Sequence, residues 1–206
     1  MSGSRRPDAR GERTRQRILE AAFEEVAERP LAEVQLQDIA RRAGMSPGHV
    51  LYHFESKDRI LLETLIMNET RIAEERAALL EGLADPWLKL TRWVVLYLPR
   101  RKMDPGWKLW LELWFRSGIP SVLEESGKAQ VFVTWMKDLR DIVESGVAAD
   151  AFVMPDDLDR FLQRTHSLLV GLSIGVLAGW QSLDDAVGMA MEYLSSELGR
   201  SPATVL

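Results

Sequence analysis

The chain has no cysteine in 206 residues. That excludes disulfides, thiolate metal sites and cysteine nucleophiles. It has only three histidines, His49, His53 and His166. They form no metal-ligand spacing within one segment, and the pair four apart lies in a short polar helix with a different use, discussed below. No metal and no cofactor are expected. No apolar run reaches transmembrane length, and nothing resembling a signal peptide precedes the first helix, so a soluble, cytoplasmic protein without membrane contact is expected. Strand alternation, hairpin signals and internal repeats are also missing, as are a phosphate loop and a nucleophile motif. These gaps argue against an enzyme. What the chain does have is apolar residues, 46% of the total, enough for a sizeable core.

Charge is unevenly spread. The net value is −5, which alone argues against a nucleic-acid binder. Yet Arg5, Arg6, Arg10, Arg13, Arg15 and Arg17 face only Asp8 and Glu12 at the start of the chain. Residues 61–206 carry 15 basic and 21 acidic side chains. A basic arm on an acidic body suits a protein that touches phosphate with one end only.

The segment LQDIARRAGMSPGHVLYHFESK, residues 36–57, is the most informative. Ile39, Ala40 and Ala43 repeat at helical spacing and end at Gly44, a residue suited to a sharp turn. Ser46 is placed to cap the next helix, and Pro47 to occupy its first turn. That helix, about Pro47–His53, is too short and too polar to be a core element. Two short helices held by an Ala-Gly turn form a helix-turn-helix, whose second helix enters the major groove of DNA. Gly48 allows close approach, His49 points out of the N-terminal half, and Tyr52 and His53 present polar tips to phosphate oxygens. Gln37 and Ser46 share this surface. Lys57 starts the next helix, where free N–H groups and an ammonium favour an anion. Val50 and Phe54 are expected to pack inside. Gln35, where the first helix of the motif begins, is a poor cap, but its side chain is within reach of a phosphate.

The rest also reads as helix. Segments are predicted over Thr14–Glu28, Lys57 to about Leu83, Pro86 to about Leu98, a ten-residue stretch GWKLWLELWF, Pro120 to about Ser145, Asp156 to about Gly179, and Leu183–Leu198. In the long helix from Lys57, the residues Ile60, Leu61, Leu65, Ile72 and Leu79 are expected to face the core. The fold class is all-α: a three-helix head fused to a larger helical body. The divisions are 1–12 as a flexible basic arm, 13–58 as the DNA-binding head, and 59–206 as a ligand-binding and dimerisation body.

The body holds seven tryptophans. Trp107, Trp110, Leu111 and Trp114 fall on one helical stripe. Lys108, Glu112 and Arg116 fall on another, at the spacing of surface ion pairs. The aromatic stripe reads as plain core or as the wall of a pocket for a flat apolar ligand or a cation. With Trp93, Tyr97, Phe132, Trp135 and Met136 it makes up the candidate ligand site. His166 reads as a core or interface residue. Gly171, Gly175 and Gly179 recur at every fourth position of one helix. Each costs about 1 kcal/mol against alanine, so a close helix approach is expected there, either within the chain or across a two-fold interface.

Three pieces, RQRILEAAFEEVAE, LQDIARRAGMSPG and FESKDRILL, match in order and spacing the N-terminal domain of the TetR family of repressors, which residues 13 to about 62 therefore resemble. More weakly, residues 107–180, from WKLWLELWFRSGIP to LLVGLSIGVLAG, are similar to the ligand-binding domain of the choline-responsive betaine-pathway repressor and its relatives, a domain type that serves different inducers. The resemblance implies a homodimer joined through its last two long helices as a four-helix bundle. It further implies a palindromic double-stranded DNA operator and a small-molecule effector that releases it. The alternative is an all-helical enzyme or ligand carrier with no DNA-binding role.

Overall fold

Every element of regular structure among the described residues is helical. A computed structural model describes the chain over residues 9–102, 104–114 and 130–199, and at 113–114 and 130–133 for the backbone alone. Helix α1 (Ala9–Glu28) begins five residues before the predicted start at Thr14, so Arg10 and Arg13 lie on helix. Ile18, Ala22 and Val26, spaced by four, are fully buried. Pro30 ends the helix, because the residue before a proline is pushed out of the α region. A 3₁₀ turn, Leu31–Glu33, leads to α2 (Leu36–Arg42), α3 (Pro47–Phe54) and α4 (Lys57–Glu81). Then come α5 (Pro86–Tyr97), α6 (Pro105–Trp114), α7 (Gln130–Ala148), α8 (Leu158–Ala178) and α9 (Leu183–Glu197).

The helix starts follow local chemistry. The Asp85 carboxylate accepts from the Leu88 N–H at 2.8 Å, with Pro86 in the first turn of α5. Asp157 accepts from Arg160 N–H at 3.0 Å to open α8. Ser182 and Asp185 cap α9 reciprocally.

The chain divides into two compact units. The head unit holds the residues up to Glu69 together with α6; the body unit holds Thr70–Asp104 and α7 to α9. This differs from the division at residue 58 in two ways: α6 belongs with the head, and α4 contributes to both units.

In the head unit α1 packs on α2 and on α6. Arg42 of α2 binds the C-terminal part of α1. Its Nε donates to Glu25 Oε1 at 2.6 Å and its Nη1 to Glu24 Oε2 at 3.2 Å, and it is also paired with Glu28. Glu25 is 2% exposed. A carboxylate so buried persists only if paired.

In the body unit α5 packs on α7 and α9, and α8 packs on α7 and α9. Leu90, Trp93, Val94, Leu139, Val143, Phe161 and Leu169 are fully buried there. Each stabilises by about 1.5–3 kcal/mol relative to its exposed state. The predicted core stripe of α4 needs a correction. Leu79 is 55% exposed, whereas Arg76 and Leu80 are buried. Contrary to the expectation that no segment is long and apolar enough to span a membrane, α8 meets that test by length and composition. Nearly half of that stretch is buried against its neighbours within the body unit.

Candidate functional site

The turn between α2 and α3 is built as its residues require. Gly44 has φ +65°, a conformation that costs other residues energy. Ser46 Oγ accepts from His49 N–H at 3.2 Å, and Pro47 fills the first position of α3. At the start of α2, Asp38 Oδ2 accepts from the Gln35 N–H at 3.3 Å. The side chain three residues on therefore makes up for a weak cap. The Asp38 carboxyl is held below its usual range, chiefly by the hydrogen bond from Arg41.

Val50 and Phe54 are buried, which fixes the other face of α3 outward. Gln35, Gln37, Ser46, Pro47, Gly48, His49 and Tyr52 are all exposed, Tyr52 at 83%. A Cβ on Gly48 would meet nothing within 4 Å. His49 and His53 stack with centroids 5.2 Å apart, and Tyr52 meets His53 edge-on at 5.3 Å. His53 is half-buried, and burial, the His49 ring and Arg15 push its imidazole below the usual value. Lys57 is also half-buried, and its ammonium donates to the Val34 carbonyl at 2.9 Å. It ties the start of α4 to the loop before α2, a role its position at a helix start did not suggest.

Two cations act in ways the sequence did not announce. Arg15 donates to the carbonyl of His53, pairs with Glu63 Oε2 at 2.5 Å, and stacks 4.2 Å over the Phe54 ring. It joins α1, α3 and α4. Lys108 was expected to form a surface ion pair. Instead its Nζ donates to the Val26 and Arg29 carbonyls at 2.6 and 2.9 Å. An ammonium thus caps the C-terminal end of α1, where carbonyls lack helical partners and the dipole favours positive charge. Burial lowers its pKa and nearby Glu112 partly offsets this.

The aromatic residues separate. Trp107 and Trp110 lie 5.5 Å apart on α6, in the head unit. In the body unit Trp93, Tyr97 and Trp135 form one cluster: Trp93–Tyr97 5.6 Å, Trp93–Trp135 6.0 Å and Tyr97–Trp135 5.0 Å. His166 meets Tyr97 edge-on at 6.3 Å, and burial lowers its pKa. Met136 is half-buried on α7, while the side chains of Trp114 and Phe132 lie outside the described residues. Arg76 of α4 adds a cation to the cluster, its guanidinium 3.7 Å over Trp135. A separate cleft of about 340 Å³ in the body unit is lined by Ala77, Leu80, Lys89, Asp138, Asp141 and Ile142 among others. It includes none of the clustered aromatics. Among the described residues, no group of three His, Asp or Glu side chains is placed to hold a metal.

The three glycines of α8 serve three different purposes. Gly179 has φ +76° and ends the helix. Gly175 is buried, and a Cβ there would lie 2.8 Å from the Gln181 amide nitrogen of the same chain. Gly171 is exposed, with nothing within 4 Å of a Cβ. Gly171 leaves the most open space of the three, whereas Gln181 already occupies the space beside Gly175.

Known proteins support the reading of the head and the fold. Residues 18–64 match the family described as bacterial regulatory proteins, tetR family. The chain is 24% identical to the HTH-type transcriptional regulator AcrR of Shigella flexneri, over 98% of this chain and 99% of that one. Its fold matches a transcriptional regulator from Saccharomonospora viridis in complex with choline, with 27% identity, a TM-score of 0.77, and coverage of 91% and 98% of the two chains. It also matches the regulator FadR from Bacillus subtilis in complex with stearoyl-CoA, at 20% identity, a TM-score of 0.70, and coverage of 89% and 98%.

Proposed function

We propose that the chain is a transcriptional regulator of the tetR family and not an enzyme, a reading supported by the family match over residues 18–64 and by the likeness to AcrR, and that it is a cytoplasmic repressor. A homodimer binds a palindromic operator, and a small molecule held in the body releases it. The observation that carries the DNA-binding part is the outward face of α3. Gly48, His49 and Tyr52 are exposed while Val50 and Phe54 anchor the same helix from behind. Such a helix is rigid enough to read base edges and open enough to reach them. Gln35, Gln37, Ser46 and Pro47 flank it as phosphate or sugar contacts, and His53 and Lys57 hold its C-terminal end in place. Arg10, Arg13 and Arg17, all exposed on α1, supply charge for the backbone.

The dimer part rests on a face of α8 and α9. Ser167, Gly171 and Ile174 are exposed on α8, and Gly188 and Met189 on α9. Gly171 and Gly188 leave open space where two helices can approach closely. The effector part rests on the buried aromatic cluster of the body. Relatives of this fold hold molecules as different as choline and stearoyl-CoA, which supports an effector without naming one. An effector acts by binding the DNA-incompetent arrangement more tightly, and saturating operator must weaken it by the same factor.

The test is selection from random duplex DNA followed by competition. A repressor of this kind recovers a two-fold symmetric sequence with half-sites about 34–36 Å apart, and its affinity falls steeply with salt. Equal affinity for all duplexes refutes the reading.

A further inference from the structure

Arg76 is a cation enclosed in the body unit, 1% exposed. Its Nε donates to Asp138 Oδ2 at 2.6 Å and its Nη2 to Thr134 Oγ1 at 3.1 Å. One guanidinium face lies on Trp135. Its Nη1 is buried and has no acceptor among the described residues. A second donor borders the same ring. Trp93 is fully buried, packs against Trp135, and its Nε1 also has no acceptor among the described residues.

Buried polar groups in folded proteins are nearly always partnered. A guanidinium and an indole are donors only. Two leftover donors beside one aromatic ring therefore need the same complement, an acceptor atom. The surroundings set the rest of the shape. Trp93, Tyr97 and Trp135 supply flat apolar walls that meet edge to face. The Trp135 face already carries a positive charge, so a ligand cation there meets a like charge in place of an open ring. Asp138 and Thr134 fix the plane of the guanidinium and act as positioning residues.

We infer that Arg76, Trp93 and Trp135 form an effector subsite for a planar apolar molecule bearing an acceptor oxygen, and that the subsite rejects quaternary ammonium compounds. This rests on the reading of the body as an effector domain and narrows it to a chemical class.

Calorimetric titration of the whole protein tests it with three probes that share a phenyl ring: benzoate, acetophenone and benzyltrimethylammonium. The two acceptor probes are expected to bind saturably and the ammonium to bind at least tenfold more weakly. Trp93→Phe removes the N–H together with one of the two fused rings, and should weaken the acceptor probes about tenfold. Arg76→Met keeps the apolar stem and should weaken them further; if it unfolds by circular dichroism, Trp93→Phe still decides. Acceptor probes that bind both folded variants as they bind the natural chain overturn the inference, because a buried water then fills the donors. Tighter binding of the ammonium also overturns it, while leaving an effector in the body. Failure of both acceptor probes to bind overturns it too. The broader effector reading is judged apart, by whether any bound small molecule changes affinity for the DNA recovered by selection.

Discussion

The head and body units handle their cations differently. In the head, each of three key cations has its acceptors: Arg42 holds Glu24, Glu25 and Glu28; Arg15 holds Glu63 and the His53 carbonyl; Lys108 holds the end of α1. In the body, Arg76 is more deeply buried than any of these, and one of its nitrogens has no partner among the described residues. A satisfied network has one arrangement and resists change. An unsatisfied donor leaves free energy to be gained by whatever completes it. The head's cations fix α3 against α1 and α4, whereas the body keeps a donor that an added acceptor would complete.

The contrast breaks most severely at Arg42. Arg42→Ala leaves the buried Glu25 carboxylate with Arg29 alone, whose Nη2 lies 3.1 Å from Glu25 Oε2, and should destabilise by about 3 kcal/mol, since removing one partner of a buried pair costs more than the pair is worth. Urea unfolding measures it, and a loss under 1 kcal/mol would mean that Arg29 alone suffices for Glu25. Next in size is Gly171→Leu, which fills an open position on α8. Overpacking of a close contact costs about 1–3 kcal/mol, enough to weaken a dimer roughly 5- to 150-fold without unfolding the protomer. Sedimentation as an unchanged dimer removes Gly171 from the interface. Gly175→Leu is a different experiment, because it collides with Gln181 inside the protomer.

Tyr52→Ala separates fold from function within the head. At 83% exposure its loss should change stability by no more than about 0.5 kcal/mol, while operator affinity falls about tenfold, roughly 1.4 kcal/mol. Unchanged affinity by fluorescence anisotropy takes Tyr52 out of the DNA surface. The smallest effect is on pH. His53 and His166 both titrate below the usual value of 6.5 in the folded chain, mainly through burial. Between the folded and unfolded values the unfolded state binds more protons, so stability rises with pH. It is fully present above about 6.5 and declines as pH falls through the folded values. Thermal melts from pH 7.5 to 5 on His166→Gln, whose side chain does not titrate there, should show a shallower decline than the natural chain.

The recognition motif was readable because its residues act locally. Gly44 turns the chain, Ser46 caps and Pro47 starts, each within four residues of its effect. The parts that escaped depend on distant partners. Periodicity placed Leu79 in the core, yet the buried stripe of α4 passes through Arg76 and Leu80. A hydrophobic pattern has no means to score an arginine as core when its acceptors lie about sixty residues away on α7. Lys108 obeyed the local rule for a surface pair with Glu112, but two carbonyls on α1 offered a stronger site. The glycines of α8 looked like one device because they share a period. They differ because one ends the helix, one meets Gln181 and one is open. Arg15 counted in sequence only as one of six N-terminal arginines, yet its partners lie on α3 and α4, far along the chain.

The lysine cap on α1 also decides how this protein can be cut and rejoined. A chimera made by grafting residues 1–58 onto a foreign body leaves α6 behind, and with it the ammonium that closes α1. A transplant that carries only the consecutive stretch should therefore melt early or misplace α3. One that also brings Pro105–Trp114, or supplies a lysine at the matching place in the host, keeps its specificity. The exchangeable module of this regulator is a surface assembled from two stretches of chain, not a bead on a string.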